Sequence, residues 1–164
     1  MKHNYCPTCG EKLILKNTYD DGLVPFCQNC NKFIFDSASP CVILLITNEF
    51  DEVCIIRQSY GTERPVLVAG YVKCDQTVED TIINETFEEI GQDVESWTYI
   101  NSYYYEKNQN LMLGFYVKVK QKEFKLSKEL KNASWENVEN AAFLLSGATI
   151  ASKLLEDIRK RNLI

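Results

Sequence analysis

Three glutamates, Glu85, Glu88 and Glu89, stand at i, i+3 and i+4, a spacing that brings their carboxylates to one side of a helix. Like charges so placed repel by roughly 0.2–0.5 kcal/mol per pair unless an arginine or a divalent cation lies between them. Hard carboxylate oxygens favour magnesium or manganese, and such ions in turn clamp phosphate oxygens. With Ala69-Gly70-Tyr71-Val72 reading as a glycine-containing strand end just upstream, the cluster is a candidate metal–phosphate site. A solvated acidic face is the plainer reading, and the residues alone leave both open.

The second set is Cys6, Cys9, Cys27 and Cys30: C-x2-C, seventeen intervening residues, then C-x2-C. Two tight turns at this spacing aim four thiolates at one tetrahedral ion, the pattern of a zinc ribbon with a structural ion and no open coordination position. Gly10 supplies the backbone freedom of the first turn, and Tyr5 and Phe26 are candidate small-core residues. Two C-x-x-C redox pairs are the alternative, but neither pair opens a helix in a βαβ unit. A unit this short buries too little apolar surface to fold alone, so the metal would supply most of its folding free energy. Cys41, Cys54 and Cys74 lack ligand spacing and read as buried or inert small hydrophobes. The single histidine, His3, nearly excludes Ser/His or Cys/His nucleophilic pairs and sites built from several histidines. Any chemistry must rest on carboxylates, thiolates or bound metal.

The elements that would position these groups follow from periodicity. In the segment 77–90, Val78, Ile82, Ile83, Phe87 and Ile90 fall at helical spacing, and Gly91 stands where a C-cap belongs. Upstream, 41–46 is a short apolar β-branched run suited to a strand buried on both faces. Strands are also expected over 53–57 and 66–72 with a turn over 60–65 between them, and a hairpin over 97–105 and 111–120. Val138, Ala142, Phe143 and Leu144, then Ile150, Leu154, Leu155 and Ile158, predict one or two covering helices. The result is an α+β chain with a mixed sheet, divided as 1–36 for the ribbon and 37–164 for the main domain. A net charge of -5 argues against nucleic acid as a partner. No run is apolar and long enough to span a membrane and the N-terminus carries no export signal, so a cytoplasmic location is expected.

The order of residues from Gly70 to Gly91 resembles the signature of the Nudix hydrolases, G-x5-E-x7-R-E-U-x-E-E-x-G-U, with U aliphatic. Gly70, Glu85, Glu88, Glu89 and Gly91 match it; Gln76 replaces the first glutamate, Asn84 the arginine and Gln92 the last aliphatic, with Thr86 at the inner aliphatic position. The resemblance implies an α/β/α sandwich around a mixed sheet. It also implies that Glu85, Glu88 and Glu89 bind catalytic magnesium or manganese and activate water, while Asn84 and Gln76 remove supporting charges. A zinc ribbon joined to such a domain is similar to the NADH pyrophosphatase branch, as is A-G-Y-V in place of A-G-F-V. In that branch's S-Q-P-W-P-F-P-x-S-L-M segment, Ser102, Leu111 and Met112 keep register while the proline-rich middle is absent. Glu129 begins a stretch similar to the branch's E-I-x-x-A-x-W, whose glutamate joins the metal site.

The implied activity is metal-dependent cleavage of the pyrophosphate in a nucleoside diphosphate linked to another moiety, with NADH, NAD or ADP-ribose as leading substrates. Gly70, Tyr71 and Ser102 would contact that substrate, Tyr71 by stacking on a base ring. The family also implies a homodimer. The alternatives are a nucleotide-binding or regulatory protein that has lost efficient turnover, and a ribbon used as a docking module.

Overall fold

The computed structural model describes residues 3–60, 64–147 and 149–164, so the turn expected over 60–65 lies partly outside the described residues. The chain divides into two compact units, Met1–Ala38 and Ser39–Ile164. In the first, β1 (Ile14–Asn17), β2 (Leu23–Cys27) and β3 (Lys32–Phe33) form an antiparallel sheet in that order. Its small core gathers Cys6, Cys27 and Ile34, and Phe26 packs edge-on against Phe33 at 4.9 Å. Gly10 takes φ +74° and donates its N–H to the Cys6 carbonyl at 2.9 Å, closing the turn of the first cysteine pair. Tyr5, expected in this core, is exposed; it makes an isolated bridge to Lys12 and leaves the interior to its neighbour Cys6.

The second unit runs β4 (Ser39–Thr47), β5 (Val53–Gln58), β6 (Pro65–Val66), β7 (Val68–Tyr71), α1 (Val78–Ile90), β8 (Val94–Tyr105), β9 (Asn110–Val119), β10 (Leu130–Glu136), α2 (Val138–Leu145) and α3 (Thr149–Lys160). The sheet order is β10-β5-β4-β9-β8, with β6 on β5 and β7 on β4. Among the described strands only β4 and β9 run parallel, so the sheet is mixed. Alternation along β4 divides the core: Val42, Leu44 and Ile46 pack with Ile82 and Ile90 of α1, while Ile43 and Leu45 pack with Leu145 of α2 and Leu154 and Ile158 of α3. This is a helix–sheet–helix sandwich.

The expected strand over 66–72 is two pieces. Leu67 turns into the core at the break, and β4 and β5 pair only at Thr47 and Val53, so they splay and β6 and β7 fill the gap. Strand β10 was not foreseen, because its sequence LKNASWE has no apolar run and its burial comes from lying beside β5. Helix α1 buries Ile82 and Ile90 as its pattern suggests, with Val78 packed on the same core, but Ile83 and Phe87 are exposed, whereas Thr81 and Thr86 are fully buried. Their hydroxyls donate to the carbonyls of Thr77 and Ile82 at 2.8 and 2.7 Å, which lets threonine fill an interior position. In α2 likewise Phe143 is exposed and Ala141 and Leu145 are buried. Cys41 and Cys54 are buried as expected, but Cys74 lies exposed in the turn after β7.

Both ends of α1 are fixed. Thr77 and Asp80 form a reciprocal capping box, Thr77 Oγ1 accepting from Asp80 N and Asp80 Oδ2 from Thr77 N, each at 3.1 Å. At the other end Gly91 is left-handed at φ +70°, and a Cβ there would lie 2.6 Å from Lys125 Cβ. Gly91→Ala is therefore expected to cost about 1–2 kcal/mol from backbone conformation alone, and more from displacing Lys125. Urea denaturation should show that loss, with Gly147→Ala near neutral because no atom lies within 4 Å of its Cβ position.

Candidate active site

The C-terminal carbonyls of α1 are the first elements of the site. A helix leaves its last carbonyls unpaired, and no basic residue lies in this last turn to meet them. Instead the segment 122–129 is laced onto them: Lys125 N donates to Ile90 O at 3.2 Å and Ser127 N to Glu89 O at 3.0 Å. Gln92, fully buried where an aliphatic residue was expected, holds the same segment by donating Nε2 to Lys122 O at 3.1 Å and accepting from Lys122 N at 2.9 Å. The segment then delivers Glu129 to the start of β10. There the Glu129 carbonyl accepts from Ser59 N at 2.8 Å, and its carboxylate accepts from the Tyr60 hydroxyl at 3.4 Å.

From the opposite side β7 brings Gly70 against α1 so closely that a Cβ at Gly70 would fall on the Glu85 carboxyl carbon. Glycine here leaves the space that the Glu85 carboxylate occupies, and any larger residue would push that carboxylate aside. Gly70, Tyr71, Glu85, Glu88, Glu89 and Glu129 all line one cavity of about 910 Å³. Ser102 does not; it is an exposed residue of β8, and Tyr105 from the same strand lines the cavity instead. Of the tyrosine triplet, Tyr104 is exposed and Tyr103 donates to Asp157 Oδ2 at 2.8 Å, so one of three faces the cavity.

Crowding marks the electrostatics. Burial, then the carboxylates of Glu85 and Glu129, push Glu89 up to about 8. Burial, then Glu88, raises Glu85 as well, and the ammonium of Lys73 partly opposes that rise. Lys73 is the one cation among the cavity-lining residues described, and no periodicity in the chain marks it out. Tyr60 was equally hidden, since 69 residues separate it from the Glu129 it touches. Glu89 Oε2 is buried with no hydrogen-bond partner. A buried carboxylate oxygen without a donor, among other hard oxygens, suits a divalent cation. Asn84 is half-buried, and Gln76 keeps a buried Oε1 without a partner.

In the N-terminal unit, the ligand atoms of Cys6, Cys9, Cys27 and Cys30 all lie within 4.8 Å of one another, the one such group of three or more metal-ligating side chains among the described residues. The glutamates share a cavity without that degree of convergence. The Cys6–Cys30 and Cys9–Cys27 sulfur separations of 3.9 and 3.5 Å match the edge of a tetrahedron with zinc–sulfur bonds of about 2.3 Å. They are far too long for disulfides, and all four cysteines are free. The thiols also titrate apart. Burial opposes the Cys6 thiolate, but N–H donors from Thr8 and Cys9 outweigh it and bring Cys6 down to about 6; neighbouring sulfurs, first Cys9, push Cys30 up to about 12. Four thiolates thus need a cation to coexist.

A glutamate raised from its ordinary 4.5 to about 8 binds its proton more tightly in the folded chain than in the unfolded one. Stability should then fall as pH rises through that window. With no divalent cation added, the thermal midpoint followed by tryptophan fluorescence, which reports only on the second unit through Trp97 and Trp135, is expected to drop from about pH 5 to about pH 8. Glu89→Gln should flatten the profile, and an unchanged slope in that variant would remove Glu89 as its source.

Comparison with known proteins gives one consistent result. Residues 38–158 match the family model described as NUDIX domain. Over 156 residues the chain is 25% identical to the NAD-capped RNA hydrolase NudC of Pectobacterium carotovorum and 26% identical to that of Escherichia coli, in each case over 94% of this chain. It spans 59% and 60% of the length of these curated relatives. Among solved structures, a NUDIX hydrolase from Nitrosomonas europaea superposes with a TM-score of 0.69 at 19% identity, over 82% of this chain and 78% of that one. The NUDIX domain of Shewanella oneidensis NrtR, crystallised with ADP ribose, gives 0.65 at 11% identity, over 83% and 93%. These two share the fold. With the family match running from the start of β4 almost to the end of α3, and the glutamates of its signature lining one cavity with Gly70, the chain belongs to the Nudix hydrolase family.

Proposed function

We propose that this chain hydrolyses the pyrophosphate of a nucleoside diphosphate joined to another moiety, with NADH, NAD or an ADP-ribose-like molecule as substrate. The observation that carries the reading is the one cavity lined by Gly70, Glu85, Glu89 and Glu129, the acidic groups close enough to act on Glu89, while Tyr71 offers an exposed ring. Magnesium or manganese, when bound, supplies a Lewis acid that lowers the pKa of water and offsets charge on the nonbridging oxygens. Glu85, in the space that Gly70 leaves, serves as the base or orients it. Glu89, Glu88 and Glu129 hold the cations, and Tyr60 steadies Glu129 through its hydroxyl. Lys73 adds a positive charge on the cavity wall for the phosphates. Tyr71 stacks a base, a contact worth about 1–3 kcal/mol. The four thiols hold a structural zinc.

The similarity to proteins described as NAD-capped RNA hydrolases supports the dinucleotide class and adds RNA bearing a 5′ NAD to the candidates. A second reading, a nucleotide-binding protein with weak turnover, draws on Asn84 and Gln76, which carry no charge beside Glu85. A magnesium and manganese hydrolysis panel over NADH, NAD, ADP-ribose, dinucleoside polyphosphates, nucleoside triphosphates and NAD-capped RNA separates the two. Turnover of one dinucleotide, lowered at least about a hundredfold in a folded Glu89→Gln variant, is expected. Binding without turnover across the panel would favour the receptor reading.

For the ribbon, elemental analysis should find one zinc per chain. Stripping it should abolish hydrogen-exchange protection within 3–38 while the second unit keeps its protection, because the metal supplies the folding energy of the first unit alone. Full protection after removal would make the zinc dispensable.

A further inference from the structure

The far wall of the cavity holds a polar atom that the hydrolytic reading leaves unused. Asn110 opens β9, stands beside Tyr105 of β8 and lines the cavity, yet is only 6% exposed. Tyr71, Cys41 and Met112 stand side by side across β7, β4 and β9, and Asn110, two residues before Met112, shares their face. Its Nδ2 is committed, donating to the Tyr71 hydroxyl at 3.3 Å. Its Oδ1 is buried and has no hydrogen-bond partner.

An orphaned buried amide oxygen is destabilising, and native proteins rarely leave one without a reason. The structure assigns that reason to the ligand: we infer that Asn110 is a specificity-determining residue whose Oδ1 accepts a hydrogen bond from an exocyclic –NH₂, as amine or primary carboxamide, on the flat ring stacked over Tyr71. The inference rests on the dinucleotide reading of the site and adds to it which rings are accepted. Through Nδ2 the same amide fixes the phenol of Tyr71, so one side chain both sets the stacking platform and reads the edge of what stacks. A ring carrying a carbonyl or carboxylate at that edge would set acceptor against acceptor and leave Oδ1 unpaired. The phosphate end is within reach, because Tyr71 follows the glycine that touches Glu85.

The test is calorimetric binding to the full chain, in calcium as a hard cation in place of magnesium, of NAD, its hypoxanthine analogue and its nicotinic acid analogue. NAD is expected to bind at least about tenfold more tightly than one of the two analogues, and the analogue that loses affinity identifies whether the purine or the pyridine ring occupies Tyr71. Asn110→Leu should bring that ratio close to one, a readout that a merely structural role for Asn110 would not move. Equal binding of all three by the wild-type chain, tighter binding of an analogue, or a ratio unchanged in a folded Asn110→Leu variant overturns the inference and leaves the dinucleotide reading standing. Failure of all three to bind overturns both.

Discussion

Carboxylates held together against their own repulsion are the constraint on which the second unit is organised. Burial and the charges of Glu85 and Glu129 raise the proton affinity of Glu89, burial and the charges of Glu88 and Glu129 raise that of Glu85, and the chain must hold these groups in place before anything positive arrives. Helix geometry alone provides only the spacing on α1. The rest comes from backbone: the capping box at Thr77, the left-handed Gly91, and the lacing of 122–129 onto the carbonyls of Glu89 and Ile90. Each of these fixes main chain, so the carboxylates are aimed by rigid elements and not by one another. Stability given up at such a cluster is recovered in the two apolar layers on either side of β4, where Leu44, Leu45 and Ile46 are fully buried.

Elements with a strong local pattern were legible in the sequence. The run that became β4, the capped helix α1 with its glycine terminator and the β8–β9 hairpin all declare themselves through periodicity or a stop residue. What stayed hidden depends on partners distant in sequence. Strand β10 has no pattern of its own and exists because β5 offers an edge; β6 and β7 separate because β4 and β5 splay. The helix faces misled for a related reason. Threonine can return its hydroxyl to the preceding turn and be buried, so Thr81 and Thr86 displaced Ile83 and Phe87 from the interior. For the site, the spacing of the acidic residues and cysteines was visible, whereas Lys73, Tyr60 and Asn110 carry no signal until the sheet brings them to the cavity.

The departures from the family signature differ in what the structure makes of them. Gln92 is well used: both ends of its amide clamp Lys122, a task an aliphatic side chain could not perform, so the change ties the loop bearing Glu129 more firmly to α1. Gln76 gains no such partner; its buried oxygen stays unpaired. Asn84 removes a charge beside Glu85, and the cation nearest that carboxylate in effect is now Lys73, from the loop after β7. Support for Glu85 has therefore shifted from its own helix to the strand end that already touches it through Gly70.

The exposed edge of the sheet shows how the aromatic wall is kept in register. A long edge strand such as β8 invites pairing with other chains and slippage along its neighbour. Here the register shifts between Tyr99 and Asn101, and Arg161, just beyond α3, donates to the carbonyls of Tyr99 and Ile100. Asp157 of α3 accepts from Asn101 and Tyr103 on the same strand. Both contacts engage the middle of β8 and fix it to α3, so the strand cannot slide by a residue without breaking them. A one-residue slip would turn Tyr105 away from the cavity and bring Tyr104 in, because side chains alternate along a strand. The C-terminal helix thus sets the position of an aromatic residue at the ligand end of a cavity whose acidic end is set by α1.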